Sequence, residues 1–373
     1  MKAFVHNAFP TVGAEQEFHL IDANTGELAP DIDSVLDAVD ADLRDSVVPE
    51  LFHAVLECKS PVCESVDELL VHLGDARRKL ARACEKVGVK LAAAGSHPFA
   101  AWQSLTPVDT GHYRWVMEQC VYLSQRLLSF GLHVHVGAES EETAMYALNE
   151  MRRWAYPLMA LSANSPYFEG RQTGLASTRA HIFGSLPRTK MIPCFRDLAD
   201  LEAFFDKLRE AGDVTQPSDL WWIVRPQPPL GTVEVRAFDM PTDVYRVAAF
   251  AAVVQAAVAF YQDRFRTGHP QSVLHDAYLD ENHWKAMRFG LDGDIIEPET
   301  GEVLSMRRHL GRLLDLIQPK AAELGSAGYI DYLRQVLREG NTETVWQTQT
   351  CRELNNDLVR LEFEIAKKTL EDL

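Results

Sequence analysis

Carboxylates and imidazoles recur at two-residue spacing in this chain, and the chemistry that such spacing supports is cation binding. In GAEQEFHL (13–20), period two sets Glu15, Glu17 and His19 on one side of a strand and Ala14, Phe18 and Leu20 on the other. Gln16 is the single polar residue on the apolar side. HVHV (133–136) pairs His133 with His135 against Val134 and Val136, and TVEVR (232–236) pairs Glu234 with Arg236 against Val233 and Val235. PELFHAVLE (49–57) carries Glu50 and Glu57, which fall on opposite faces of a regular strand and share one face only if a bulge intervenes. Each pattern alone is compatible with the solvated side of an amphipathic strand. Four apolar-backed strands that each aim a carboxylate, imidazole or guanidinium one way point instead to a common site. Oxygen-rich donors with one imidazole suit Mg²⁺ or Mn²⁺ better than Zn²⁺. The arginines need an anionic counter-charge, and a polyphosphate bridged by metals serves both groups.

The elements that must position these residues follow from turn signals and periodicity. After the first strand, DANTGELAP (22–30) is a turn cluster, and residues 31–43 have helical spacing, with Asp33 or Ser34 placed to cap. Residues 47–61 read as one extended segment ended by Pro61. A long amphipathic helix over 66–88 stops at Gly88, and a strand and loop occupy 89–99. The middle holds a helix over 112–129, a strand over 131–138 and a helix from about 141 to 161. Residues 162–189 are polar, Gly-rich and aperiodic, as functional lids and binding loops often are. Residues 220–238 read as two strands around a Pro/Gly turn, 244–266 as an apolar helix, and the tail from about 273 as mostly helical. The irregular strand spacing, without a steady βαβ rhythm, favours an α+β fold with a largely antiparallel sheet. No repeat, linker or domain break is visible, so residues 1–373 read as a single domain.

Bulk composition narrows the partners. The 373 residues carry a net charge of −17, which argues against nucleic acid and anionic membranes and suits small ligands that arrive with Mg²⁺. Six scattered cysteines without C-x-x-C spacing read as reduced thiols. The apolar run 247–261 is shorter than a bilayer span and is expected to be a buried helix. MKAFVHNAFP lacks a long apolar signal region, so a cytoplasmic protein is expected, and self-association into a homo-oligomer stays open.

Several stretches, in order, carry a family resemblance: GAEQEFHLID, TGELAP, HPFA, GLHVHVG, LSANSPYFEGRQTGLASTRAHIFGSLPRT, WWIVRPQPPLGTVEVRAFD and HWKAMRFGLDG. Together they resemble the carboxylate–amine ligases of the type 2 glutamate–cysteine ligase group, related in fold to glutamine synthetase. The resemblance covers nearly the whole chain and loosens at the far C-terminus. It implies a curved, mostly antiparallel sheet like the glutamine synthetase catalytic domain, with helices on its convex side and ATP and two or three Mg²⁺ ions on its concave face. It also implies transfer of the γ-phosphoryl group to a substrate carboxylate, followed by displacement of phosphate by an amine. The substrates implied are a glutamate-like carboxylate and an amine, cysteine or another. Glu15, Glu17, Glu57, His133 and Glu234 would then be metal ligands, with Glu50 added. Arg236, Arg171 and Arg179 would act on phosphate or the substrate carboxylate, and Arg225 with Arg236 would hold the nucleotide. Arg171, in a loop placed as a lid, is the residue expected to grip oxygens two at a time.

Three positions depart from the family pattern: Gln16 stands where Glu is usual, Phe168 where Trp is common and Lys190 where Gly is common. The last two bear on the acceptor pocket rather than on the chemistry. The tail 341–354 departs as well. His6, His19, His53, His72, His112 and His269 are expected on the surface or in packing, Trp221 and Trp222 as core and rim aromatics, and Cys58 in the core. Removing one carboxylate, as in Glu234→Ala or Glu57→Ala, is expected to spare the fold by relieving mutual repulsion. Two rival readings are a zinc amidohydrolase, which would need an eightfold βα barrel and more histidine ligands, and an inactive nucleotide-binding member of the same fold.

Overall fold

Period-two alternation becomes a seven-stranded sheet in the computed structural model, which describes residues 3–371 and 373. The first part of the chain forms β1 (Val12–Asp22), α1 (Ile32–Ala38), β2 (Val47–Pro49), β3 (Val55–Lys59), α2 (Val66–Lys86) and β4 (Val89–Ala92). The middle forms α3 (Gly111–Cys120), α4 (Tyr122–Gln125), β5 (Gly131–Gly137), α5 (Glu141–Ser162), β6 (Tyr167–Phe168), β7 (Arg171–Gln172) and α6 (Thr178–Phe183). Then come α7 (Leu198–Glu210), β8 (Val224–Gln227), β9 (Thr232–Asp239), α8 (Val244–Arg266), α9 (Asp276–Phe289), β10 (Asp294–Ile296) and β11 (Val303–Ser305). Four helices close the chain: α10 (Met306–Glu323), α11 (Ala327–Glu339), α12 (Glu343–Glu353) and α13 (Leu358–Thr369).

The sheet runs β2-β3-β1-β5-β9-β8, with β4 beside the end of β1, and every pairing in it is antiparallel. The fold is α+β with an open antiparallel sheet, and the eightfold βα barrel of an amidohydrolase is not what these strands build. Ala14, Phe18, Leu132, Val134, Val233 and Val235 are buried on one face, against α2, α5 and α8. Gln16 on this apolar side is accommodated because its Oε1 accepts from Arg77 Nε of α2 at 3.0 Å. Helix α8 is buried almost all round, as its composition demands. It is the one helix among the described residues long and apolar enough to cross a membrane, and 83% of its most apolar window is buried inside the fold. The six cysteines are free thiols, with Cys58 buried and only Cys194 exposed.

Four expectations are corrected here. Residues 47–61 are not one strand but the hairpin β2–β3, with Val55 N–H donating to the Phe52 carbonyl at 2.9 Å in its turn. The helix expected over 112–129 breaks into α3 and α4 at Val121, whose φ of 45° is a left-handed conformation that a β-branched residue rarely adopts. Residues 162–189 hold structure of their own, the hairpin β6–β7 and α6. Neither Asp33 nor Ser34 caps α1, which begins at Ile32. The tail is helical as expected, with the small hairpin β10–β11 added.

Candidate functional site

The polar face of the sheet is assembled by cross-strand register. Glu15 on β1 lies directly opposite His133 on β5 and Lys59 on β3, and Glu17 lies opposite Glu57. Glu234 on β9 lies between His135 on β5 and Arg225 on β8. The hairpin brings Glu50 to the same face without any bulge: Val48 is opposite Glu57, and Glu50 is two residues past Val48. A bulge does occur, but in β9. Leu132 is opposite Phe238 while Val134 is opposite Val235, so Arg236 and Ala237 together face His133. Arg236 shares the polar face with Glu234 by alternation, and the extra residue turns Phe238 into the core and returns Asp239 to the polar side.

Ligand-type atoms converge in three overlapping groups: Glu17, Glu50 and Glu57; Glu15, Glu57 and His133; and Glu15, His135 and Glu234. Each group presents one atom per residue, all within 4.8 Å of one another. His133 Nδ1 is 2.9 Å from Glu15 Oε2, and its Nε2 is 3.3 Å from Glu17 Oε1. Nδ1 also lies 3.2 Å from Arg236 Nη1 and 3.9 Å from Glu57 Oε2, so both ring nitrogens face charged partners. His135 Nε2 is 3.6 Å from Glu15 and 3.8 Å from Glu234. Both Nε2 atoms are buried without a hydrogen-bond partner. Burial, then repulsion from Glu57 and Glu17, pushes the Glu50 carboxyl well above the usual range. Burial raises Glu57 and Glu17 too. Glu15 goes the other way: burial opposes its charge, but the hydrogen bond to His133 and the nearby His135 imidazole outweigh it. Burial and the Arg236 guanidinium lower His133 to about 4, so it is a neutral donor of a lone pair. Desolvated carboxylates that repel one another, beside two unpartnered imidazole nitrogens, fit a divalent cation.

Glu234 is fully buried, and its carboxylate accepts from Arg225 Nε, Arg236 Nη1 and Gln227 Nε2, each at 2.6 Å. Burial works against its charge, but the two guanidinia hold it well below the carboxylate range. Arg179 of α6 lies over Gly131, where a Cβ would come within 2.1 Å of the guanidinium and would displace it. Its Nη2 donates to the Arg236 carbonyl at 3.3 Å, and its Nε has no partner. The Asp239 carboxylate anchors this segment, accepting from Ser165 and Ser177 hydroxyls at 2.6 Å and from the Asn164 N–H at 2.8 Å.

The face opens into a cavity of about 380 Å³ lined by Glu15, Glu17, Glu50, Glu57, Arg179, Arg225 and Arg236, with Leu51, Phe52, Val116, Leu186 and Trp221 as its apolar walls. Arg171 is not among its lining. It sits on β7, 73% exposed, paired with Glu169 at 3.5 Å, so the lid expected at Arg171 faces solvent. His112, expected in the surface or packing set, lines the cavity, whereas His19 is buried against Glu362 at 2.8 Å. Sequence reasoning set His135 on the His133 face without counting it among the ligands, and it left out Tyr113, Lys59 and Gln227, which carry no local signal.

Residues 11–362 match glutamate-cysteine ligase family 2. A protein of Herpetosiphon aurantiacus named "Putative glutamate–cysteine ligase 2" is 33% identical over 367 residues, covering 98% of this chain and 95% of its own. Among solved structures, a Francisella tularensis glutamate–cysteine ligase in complex with AMP superposes with a TM-score of 0.72 at 11% identity, covering 99% of this chain and 90% of that one. A Pasteurella multocida bifunctional glutathione synthetase gives 0.70 at 10% identity, over 97% of this chain and 53% of that one. The two structures share the fold with this chain.

Proposed function

The chain belongs to glutamate–cysteine ligase family 2, and from that membership and the geometry above we propose that it is an ATP-dependent ligase forming an amide between a small carboxylate and an amine. The observation that carries this reading is the set of three interlocking ligand groups on one sheet face, with Arg179, Arg225 and Arg236 in the same cavity. Glu17, Glu50 and Glu57 would hold one Mg²⁺ or Mn²⁺. Glu15 with His133 would hold a second, and Glu15, His135 and Glu234 offer a third position. A bound divalent ion neutralises phosphoryl oxygens and orients the nucleotide.

The chain's own residues do the rest. Arg225 and Arg236, fixed by Glu234, present guanidinium donors to the phosphates. Arg179, with an unpartnered Nε, is placed to take the substrate carboxylate or the transferred group. In the reaction, a substrate carboxylate oxygen attacks the γ-phosphorus and ADP leaves; the amine nitrogen then attacks the acyl carbon, phosphate leaves, and the nitrogen loses its proton. The apolar walls exclude water from the acyl phosphate, which would otherwise hydrolyse. A glutamate-like carboxylate and cysteine are the substrates that the relatives' names suggest, acting in the cytoplasm within a single catalytic domain.

The test is Mg²⁺-dependent ADP release measured across a panel of carboxylates and amines, with the amide confirmed by mass spectrometry. ADP release that requires both a carboxylate and an amine supports the reading. No ADP release with any pair, or activity that follows added zinc instead of magnesium, overturns it.

A further inference from the structure

Of the carboxylates on the polar face, Glu50 is the one that stands outside a strand. Glu15, Glu17, Glu57 and Glu234 lie within β1, β3 and β9, whereas Glu50 follows the last residue of β2 and enters the turn. Two donors converge on its Oε2: the Leu51 backbone N–H at 3.2 Å and the Tyr113 hydroxyl at 3.3 Å. The same hydroxyl is 3.2 Å from the Pro49 carbonyl, so its one proton is shared between the two acceptors and the phenol sits over the step by which β2 leaves the sheet. Tyr113 reaches there from α3, outside the sheet. It occupies the third position of that helix, where its own N–H donates to the side chain of the N-cap Thr110 at 3.1 Å. Its side chain lines the cavity alongside Val116, one turn further on.

We propose that Tyr113 is a positioning residue for the Glu17–Glu50–Glu57 group, holding the Glu50 carboxylate in the conformation that receives a divalent cation. This rests on the reading of that group as a metal site. A glutamate side chain has several rotatable bonds, and Glu50 stands at the open end of the hairpin, tied to β3 by its backbone N–H on the Val55 carbonyl at 3.1 Å and followed by no further ladder. Freezing it before the metal arrives is what an outer-shell hydrogen bond contributes to affinity. Because the donor sits on α3, the same bond ties one wall of the substrate cavity to the metal group, so the placing of α3 and metal affinity are coupled.

The experiment is a Mn²⁺ titration of the metal-free full chain followed by electron paramagnetic resonance, comparing the parent with Tyr113→Phe. The expected result is an unchanged number of bound Mn²⁺ ions, with one class weakened about tenfold. In the ADP-release assay the half-saturating Mn²⁺ concentration rises in step. A merely structural role would lower the folded fraction and leave the affinity of the folded chain unchanged. Thr110→Ala, which removes the cap that sets the first turn of α3 without touching the cavity, supplies a second arm and should weaken the same class in the same direction. Equal Mn²⁺ affinities in the parent and both variants overturn the proposal while leaving the metal reading intact. A parent chain that binds no Mn²⁺ overturns the metal reading, and the proposal with it.

Discussion

Glu234→Ala should destabilise the metal-free chain, against the expectation drawn from carboxylate repulsion alone. Its carboxylate is fully buried and satisfies Arg225, Arg236 and Gln227 at 2.6 Å each, and both guanidinium side chains are only 11% exposed. Truncation leaves two buried cations without their anion, and breaking a buried pair in this way costs about 3–5 kcal/mol. The upper part of that range applies, because one deletion orphans two partners. Against a total stability of about 5–15 kcal/mol, and with an unfolding entropy that scales with chain length, the midpoint of unfolding should fall by about 5–6 °C. At Glu50, burial and repulsion from Glu57 and Glu17 outweigh the attraction of Arg236, and Glu50→Gln keeps an oxygen to accept from Leu51 and Tyr113, so it should leave the metal-free chain as stable as the parent or more so. The assay is thermal and urea unfolding in EDTA of both variants, with Glu234→Ala/Arg225→Met completing a double-mutant cycle with Arg225→Met. The double variant should recover part of the loss, since one orphaned cation is gone. A Glu234→Ala protein that unfolds at or above the parent temperature would show that the arginine cage around Glu234 is not holding the sheet, and the reasoning fails.

Three further outcomes are expected. Between about pH 4.5 and pH 7 the buried carboxyls and the buried imidazoles of the metal-free chain should pull its stability in opposite directions. Burial raises the folded-state pKa of Glu17, Glu50 and Glu57, and that of Glu343 and Glu362 to about 7, so these groups bind more protons in the native state and withdraw stability as pH rises. Burial lowers His19 to about 3 and His97, His133, His283 and His309 to about 4, so these bind fewer and return stability up to about pH 6.5. Urea midpoints of the parent and Glu50→Gln in EDTA isolate the carboxyl part: from about pH 5 to about pH 7.5 the variant should gain stability relative to the parent. Glu57→Ala should lower turnover in ADP release by about 10²-fold or more while the protein stays folded, by loss of charge from two of the three ligand groups. Arg179→Lys should raise the ATP hydrolysed per amide formed, because it keeps the charge but loses the fork, whereas Arg171→Lys should match the parent because its side chain lies in solvent. Phosphate and amide measured in the same reaction distinguish the two.

The sequence by itself determined the antiparallel strands, their apolar and polar faces and most of the chemistry. Two-residue periodicity is a local property of the backbone, so Glu15, Glu17, His133, His135, Glu234 and Arg236 were legible as one-sided without any knowledge of what packs where. The buried helix over 244–266 was legible for the same kind of reason: a segment apolar on every side has nowhere to go but a core. What sequence could not decide were relations between distant segments. Glu50 joins Glu57 because the chain turns back at Phe52 and pairs Val48 with Glu57, a choice between hairpin and bulge that local composition leaves open. Arg171 and Arg179 stand eight residues apart in one polar stretch with the same side chain. Only the anchoring of that stretch by Asp239 places Arg179 over Gly131 and leaves Arg171 in solvent. The sign of the Glu234→Ala effect is likewise tertiary. A carboxylate in a cluster of carboxylates destabilises, and the same carboxylate between two buried guanidinia stabilises, and which neighbours it has is fixed by the register of β9 against β8, which sets Arg225 opposite Glu234.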